Sequence, residues 1–99
     1  MNPTENTIEA RRFVVRGRVQ GVGFRWFVER EARLLGIAGW VRNNHDGNVE
    51  VQAQGTREQL AALLSRLRQG PPAARVDDVA ESEAQLKDGI NSFRIEGAW

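Results

Sequence analysis

Two short stretches hold the side chains and amides that could do chemistry. The first is Gly17-Arg18-Val19-Gln20-Gly21-Val22-Gly23-Phe24-Arg25. Its three glycines allow tight turning and let several backbone N–H groups point to one side. A helix start just downstream adds partial positive charge, and Arg25 adds a full one. The amides of Gln20, Gly21, Val22, Gly23 and Phe24 together with Arg25 therefore describe a cradle for an anion, most simply a phosphoryl group. The second stretch is Arg42-Asn43-Asn44-His45. An asparagine carboxamide both donates and accepts, so Asn43 could hold a water in line for attack on phosphorus without repelling a phosphate dianion. The plain alternatives are a glycine-rich turn, an Arg25–Glu29 surface pair on a helix, and a strand-end cap by Asn43.

The missing groups narrow the chemistry further. The chain has no cysteine, which removes thiol nucleophiles, thiolate metal sites and disulfides. It shows no Ser/His/Asp set, no carboxylate pair and no His/Asp/Glu cluster at metal-ligand spacing, so no metal or cofactor is expected. No Gly-Lys-Ser/Thr follows the loop, which excludes a Walker A motif, and the glycines do not fit the dinucleotide fingerprint. His45, the one histidine, falls in a turn and reads as a solvated turn residue. What remains is positioning and charge stabilisation on a substrate with an activated leaving group. The substrate's own phosphoryl oxygen can take the proton of the water.

Several elements must bring these groups together. Phe13, Val15 and Val19 alternate with Arg12, Arg16 and Arg18, the period of a strand with one buried face. From Phe24 the period becomes helical, with Phe27, Val28, Ala32 and Leu35 on the same stripe and Gly36 as the stop. Residues 37–43 read as a second strand, Asp46-Gly47 as the heart of a turn, and residues 48–54 as a third strand. Thr56 and Gln59 form a capping-box pattern ahead of Leu60, Leu63, Leu64 and Leu67, and Gly70-Pro71-Pro72 ends that helix. Arg75 to Ser82 is a fourth strand of thin apolar content, and residues 92–96 form a short last one. Met1 to Ala10 reads as a frayed tail and residues 11–99 as one domain.

This β-α-β-β-α-β order, with a short C-terminal strand, predicts an α+β ferredoxin-like sandwich, two helices on one face of an antiparallel sheet. Right-handed crossovers make the first two strands parallel with the third between them. Their C-terminal ends then share one rim, so the glycine loop and Asn43 become neighbours.

Those same residues resemble a known family. The 17–25 stretch closely resembles the first signature of the acylphosphatases, and Gly39-Trp40-Val41-Arg42-Asn43 with Asp46-Gly47 resembles the second. The resemblance runs from about Phe13 to Ile95. It implies a ferredoxin-like fold and metal-independent hydrolysis of carboxyl-phosphate anhydrides to carboxylate and phosphate. Arg25 then looks like the phosphate-binding catalytic arginine, Asn43 like the water-orienting asparagine, and the Gln20–Phe24 amides like the rest of the phosphate site. Family substrates include acetyl phosphate, carbamoyl phosphate and bisphosphoglycerate. The Met1–Ala10 tail lies outside the family pattern, and Trp99 stands near where an aromatic would follow the last strand.

Composition agrees with that size and chemistry. Ninety-nine residues, 40% apolar and 27% charged, make one ordinary globular domain. No run is long or apolar enough for a membrane span, and no signal segment appears, so a cytoplasmic monomer is the default expectation. A net charge of +1 argues against a nucleic-acid partner. Locally, five arginines fall within residues 11–25 and five acids within 77–88. That basic stretch could serve an anion or could pair with an acidic strand. An RNA-binding module is a weaker rival, since the central strands offer only Phe13, on the buried face. A second rival is a free-standing relative of the acylphosphatase-like domain of carbamoyltransferase maturation proteins.

Overall fold

The computed structural model describes residues 7–97. Its elements are β1 (Glu9–Arg18), α1 (Phe24–Leu35), β2 (Ala38–Asn43), β3 (Val49–Gly55), α2 (Arg57–Gln69), β4 (Arg75–Glu83) and β5 (Phe93–Ile95). They form one sheet in the order β4-β1-β3-β2-β5. β1 and β2 each run antiparallel to β3, so they are parallel to each other, as the crossover rule requires. β5 joins β2 in parallel, which makes an otherwise antiparallel sheet mixed.

Strand alternation sends Phe13, Val15, Val41, Val49, Val51, Ala53 and Phe93 to the helix-covered face, where they pack with Phe24, Val28, Ala32, Leu60, Leu63 and Leu67. Each of these is essentially buried. Side chains of this size contribute roughly 1.5–3 kcal/mol apiece on burial, the main force holding helices to sheet. The stripe of α1 contains one charged residue, Glu31, buried and met by Arg66 from α2 and by Arg30.

The first strand starts earlier than the sequence pattern indicates. Glu9 and Ala10, assigned to the tail, pair with Gly55 and Gln54 of β3, and Ala10 is buried. The Glu9 carboxylate also meets Arg11 at 2.9 Å and Arg57 at 3.4 Å. One apolar side chain and one ion-pairing acid are too little periodicity to reveal a strand end. Most of the tail, and the place of Trp99, lie outside the described residues.

β4 forms despite its thin apolar content because β1 supplies its partner. Arg16 stands opposite Asp78 in the register, and Arg11 lies 3.7 Å from Glu81. The acidic strand thus faces part of the basic stretch, the plainer of the two readings of that charge pattern. On the sheet's open face, Glu50 is buried between Arg12 at 2.6 Å and Arg42 at 3.0 Å. Trp40 also sits on that face, with the Arg42 guanidinium 4.8 Å from its ring centre. Sequence reasoning overlooked this aromatic, and Arg42 already covers its ring.

Candidate active site

The glycine loop is pinned at both ends and open between them. Val19 and Phe24 are each 1% exposed, so the core holds the points where the chain leaves β1 and enters α1. Between them, Gly21 and Gly23 have φ of 74° and 78°, while Val22, like every described non-glycine residue, has negative φ. Alternation of sign at successive residues is the geometry that turns neighbouring N–H groups to one side, a nest for an anion. A Cβ on Gly21 or Gly23 would meet nothing within 4 Å, so backbone conformation, not crowding, demands glycine there.

The nest runs directly into the start of α1. Gly23 is its N-cap, no side chain caps the first turn, and no acid occupies it. The first-turn amides, which precede any helical acceptor, are thus available beside the loop amides. Arg25 belongs to this turn and is half-buried. The Arg25–Glu29 pair suggested by spacing does not form, because Glu29 lies 3.5 Å from Arg33 instead. Among the described residues, no carboxylate lies within ion-pair distance of Arg25.

The other half of the site arrives by way of Gln20. Its side-chain N–H₂ donates to the carbonyl of Asn44 at 2.8 Å and to that of Asn48 at 2.9 Å. Those carbonyls belong to the turn joining β2 and β3, where Asn48 also accepts from the Asn44 N–H at 2.8 Å. One amide group therefore fastens the loop to the turn beside Asn43, the last residue of β2. Asn43 is half-buried, and its carboxamide oxygen is out of contact with solvent. The turn itself is closed by Asp46, whose carboxylate accepts from the Asn48 N–H at 3.1 Å.

The residues singled out in the sequence thus fall on one rim. Gln20, Gly21, Val22, Gly23, Phe24 and Arg25 form one side, with Asn43 across from them. His45 is exposed in the turn and lines, with Asn43 and Glu96, a small recess at the outer edge. Sequence reasoning gave Gln20 a backbone role only; its side chain as the tie between the halves was missed. A glutamine is common on any surface, so its type carried no signal; only the neighbouring ends of β1 and β2 could have raised the question. Among the described residues, no group of three or more His, Cys, Asp or Glu could hold a metal ion.

Comparison with known proteins decides the family. The acylphosphatase family model matches residues 11–95. The chain belongs to the acylphosphatase family. An acylphosphatase of Koribacter versatilis is 57% identical over 93 residues, covering 94% of this chain and 84% of that relative. The crystal structure of acylphosphatase from Bacillus subtilis superposes with a TM-score of 0.86 at 38% identity, covering 92% of this chain and 100% of the other. Full-length HypF in its phosphate- and nucleotide-bound form contains a similar unit, with a TM-score of 0.85 and 30% identity over 93% of this chain, but only 12% of HypF. Membership places the chain among enzymes, as a hydrolase by family.

Proposed function

We propose that the chain hydrolyses small acyl phosphates, with Arg25 and the Gln20–Phe24 amides binding the phosphoryl group and Asn43 orienting the water. The observation that carries this reading is the Gln20 double hydrogen bond, which sets an uncapped, positively polarised nest next to Asn43. The Arg25 guanidinium can take two phosphoryl oxygens in its planar fork, and the nest amides a third. Their charge compensation grows as the P–O bond to the acyl group lengthens, the moment at which preorganised donors matter most. A water held by Asn43 adds its oxygen to phosphorus while the P–O bond to the carboxyl breaks. The bonding pair leaves with the carboxylate, and a water proton passes to a phosphoryl oxygen. The products are a carboxylate and inorganic phosphate.

No step calls for a strong base, because a carboxylate is a good leaving group and the phosphoryl oxygen accepts the proton. Arginine and amide charge stand where other phosphoryl-transfer sites use a metal. We further infer that the chain acts as a cytoplasmic monomer. The sequence has no cysteine, so the fold requires no oxidising compartment for a disulfide. The charges of the β4 edge, Asp77, Asp78, Glu81 and Glu83, disfavour edge-to-edge pairing with a second copy. The deciding experiment is phosphate release from acetyl phosphate by the wild type, Arg25→Ala and Asn43→Ala. Wild-type turnover with severe loss in both variants supports the reading; an inert wild type, or a fully active variant, overturns it.

A further inference from the structure

The arginines of this chain divide into those met by a carboxylate and those left over. Arg11 and Arg57 meet Glu9, Arg12 and Arg42 meet Glu50, and Arg66 meets Glu31. Among the described residues, only Arg16, Arg18, Arg25 and Arg68 have no carboxylate within ion-pair distance. The fold gathers these leftovers at one end of the molecule. Arg16 and Arg18 close β1, where the chain enters the nest, and Arg25 is in the first turn of α1. Arg68 is in the last turn of α2. That helix ends on Gly70, which lies against Phe24: a Cβ at Gly70 would come 3.1 Å from the Phe24 ring.

We propose that Arg18 and Arg68 form an electropositive collar that draws phosphoryl anions to the Arg25 cradle without touching them, with Arg16 as a lesser third member. The proposal rests on the acyl phosphate reading and adds to it how the site gathers its ligand. Stability does not explain Arg18. It stands directly opposite Arg75 in the β1–β4 register, and like charges so placed are destabilising. Asp77 takes Arg75 at 3.0 Å, which leaves Arg18 exposed and unanswered. Arg68 complements the negative end of α2, yet it too is exposed and meets no acid. Arg16 has Asp78 opposite it in the register, which offsets part of its charge, so the weight falls on the other two.

Charge of one sign gathered around one rim focuses the field there and raises the local concentration of the opposite ion. Elsewhere the arginines are neutralised at short range, so they add little field at a distance. The collar acts on the phosphoryl charge that all acyl phosphates share and is indifferent to the acyl group. Because its members are exposed and act across water, salt sets their reach: the screening length is about 10 Å at 0.1 M and shrinks as salt rises. Each collar arginine is expected to contribute about threefold in affinity for a dianion at low salt.

Lys87 supplies the control, since it is a cation with no ion pair at the other end of the sheet. Its backbone N–H donates to the Gln54 side chain at 2.8 Å, and Gln54 pairs with Ala38 at the start of β2, away from Asn43.

The test is calorimetry with inorganic phosphate at mildly alkaline pH, where it is a dianion, at low and at high ionic strength. At low salt, Arg18→Gln and Arg68→Gln should each weaken binding about threefold and the double variant about tenfold. At high salt the differences should nearly vanish. Arg18→Lys should bind like the wild type, and so should Lys87→Gln, which removes the same charge from the far end. Losses of equal size at both salt levels would make these arginines direct ligands or structural parts and overturn the collar. Unchanged binding in the double variant, or a loss at Lys87→Gln as large as at Arg18→Gln, overturns it as well. Phosphate release from acetyl phosphate separates the two readings: kcat/KM should follow the same salt pattern with kcat unaltered. An inert chain that still binds phosphate in this pattern counts against the activity alone, whereas an active chain whose salt dependence ignores Arg18 and Arg68 counts against the collar alone.

Discussion

The two helices of this molecule begin in opposite ways. α2 is closed by its own sequence: the Thr56 hydroxyl accepts from the Gln59 N–H at 3.2 Å, and the Gln59 carboxamide oxygen accepts from the Thr56 N–H at 2.8 Å. Glu58 adds a negative charge to its first turn. α1 has none of these. Its N-cap is Gly23 in a left-handed conformation, no acid lies in the first turn, and Arg25 adds positive charge to an end that is already positive. On stability grounds alone the second solution is the poorer one, by about 1 kcal/mol for a missing side-chain cap. The difference teaches where an outside anion fits. At α2 protein oxygens meet the amides, and at α1 the phosphoryl oxygens of a substrate can do so.

The comparison can be broken most forcefully at Arg25 and Asn43. Arg25→Ala is expected to lower kcat/KM for acetyl phosphate by about a hundred- to a thousandfold, while thermal unfolding stays close to wild type, since no ion pair is lost. Asn43→Ala should show a kcat loss of similar size. An Arg25→Ala protein that is fully active, or that fails only because it unfolds, would give α1 the same structural role as α2. Gln20→Ala comes next. It removes both bonds to the turn, and roughly tenfold or more in kcat/KM should go with them, together with about 1–2 kcal/mol of stability by urea unfolding.

The reciprocal change is smaller and purely thermodynamic. Thr56→Ala should cost about 1 kcal/mol, seen as a Tm lower by about 4–8 °C, with kcat unaltered. A catalytic effect at Thr56 would erase the distinction between the two helix starts. The mildest effect is expected at Glu50, which belongs to neither helix start. Burial raises the pKa of its carboxyl, but the hydrogen bonds and charges of Arg12 and Arg42 outweigh this and hold it below 4.5. The unfolded chain thus takes up this proton more readily than the folded one. Its contribution is therefore complete above pH 4.5 and is lost as pH falls through the lowered folded value. Glu50→Gln should flatten that part of the acid-unfolding curve, measured by circular dichroism.

Much of this was legible in the sequence because two periodicities and a few punctuating residues carry it. The switch from alternation to helical spacing at Phe24, the Thr56–Gln59 box and Gly70-Pro71-Pro72 each mark a boundary the structure keeps. The chain order then placed the glycine loop and Asn43 on one rim through the handedness of crossovers alone. Less was visible where partners come from afar. β4 is a strand because β1 lies beside it, and its own residues hardly say so. Glu31 and Glu50 look like surface acids in the sequence, yet both are buried against arginines from other elements. The Gln20 tie spans 24 and 28 residues of chain, and spacing of that kind has no local signature.

That tie has a kinetic consequence. Because one carboxamide is shared between the loop and the turn, the loop cannot swing outward without also releasing two carbonyls of the hairpin. The nest and the β2–β3 turn should open as one unit, so their amide hydrogens are expected to exchange with solvent at a common rate. A site assembled from segments this distant in the chain would then exist only once the hairpin has formed, and binding competence would appear late in refolding, together with the last long-range contacts.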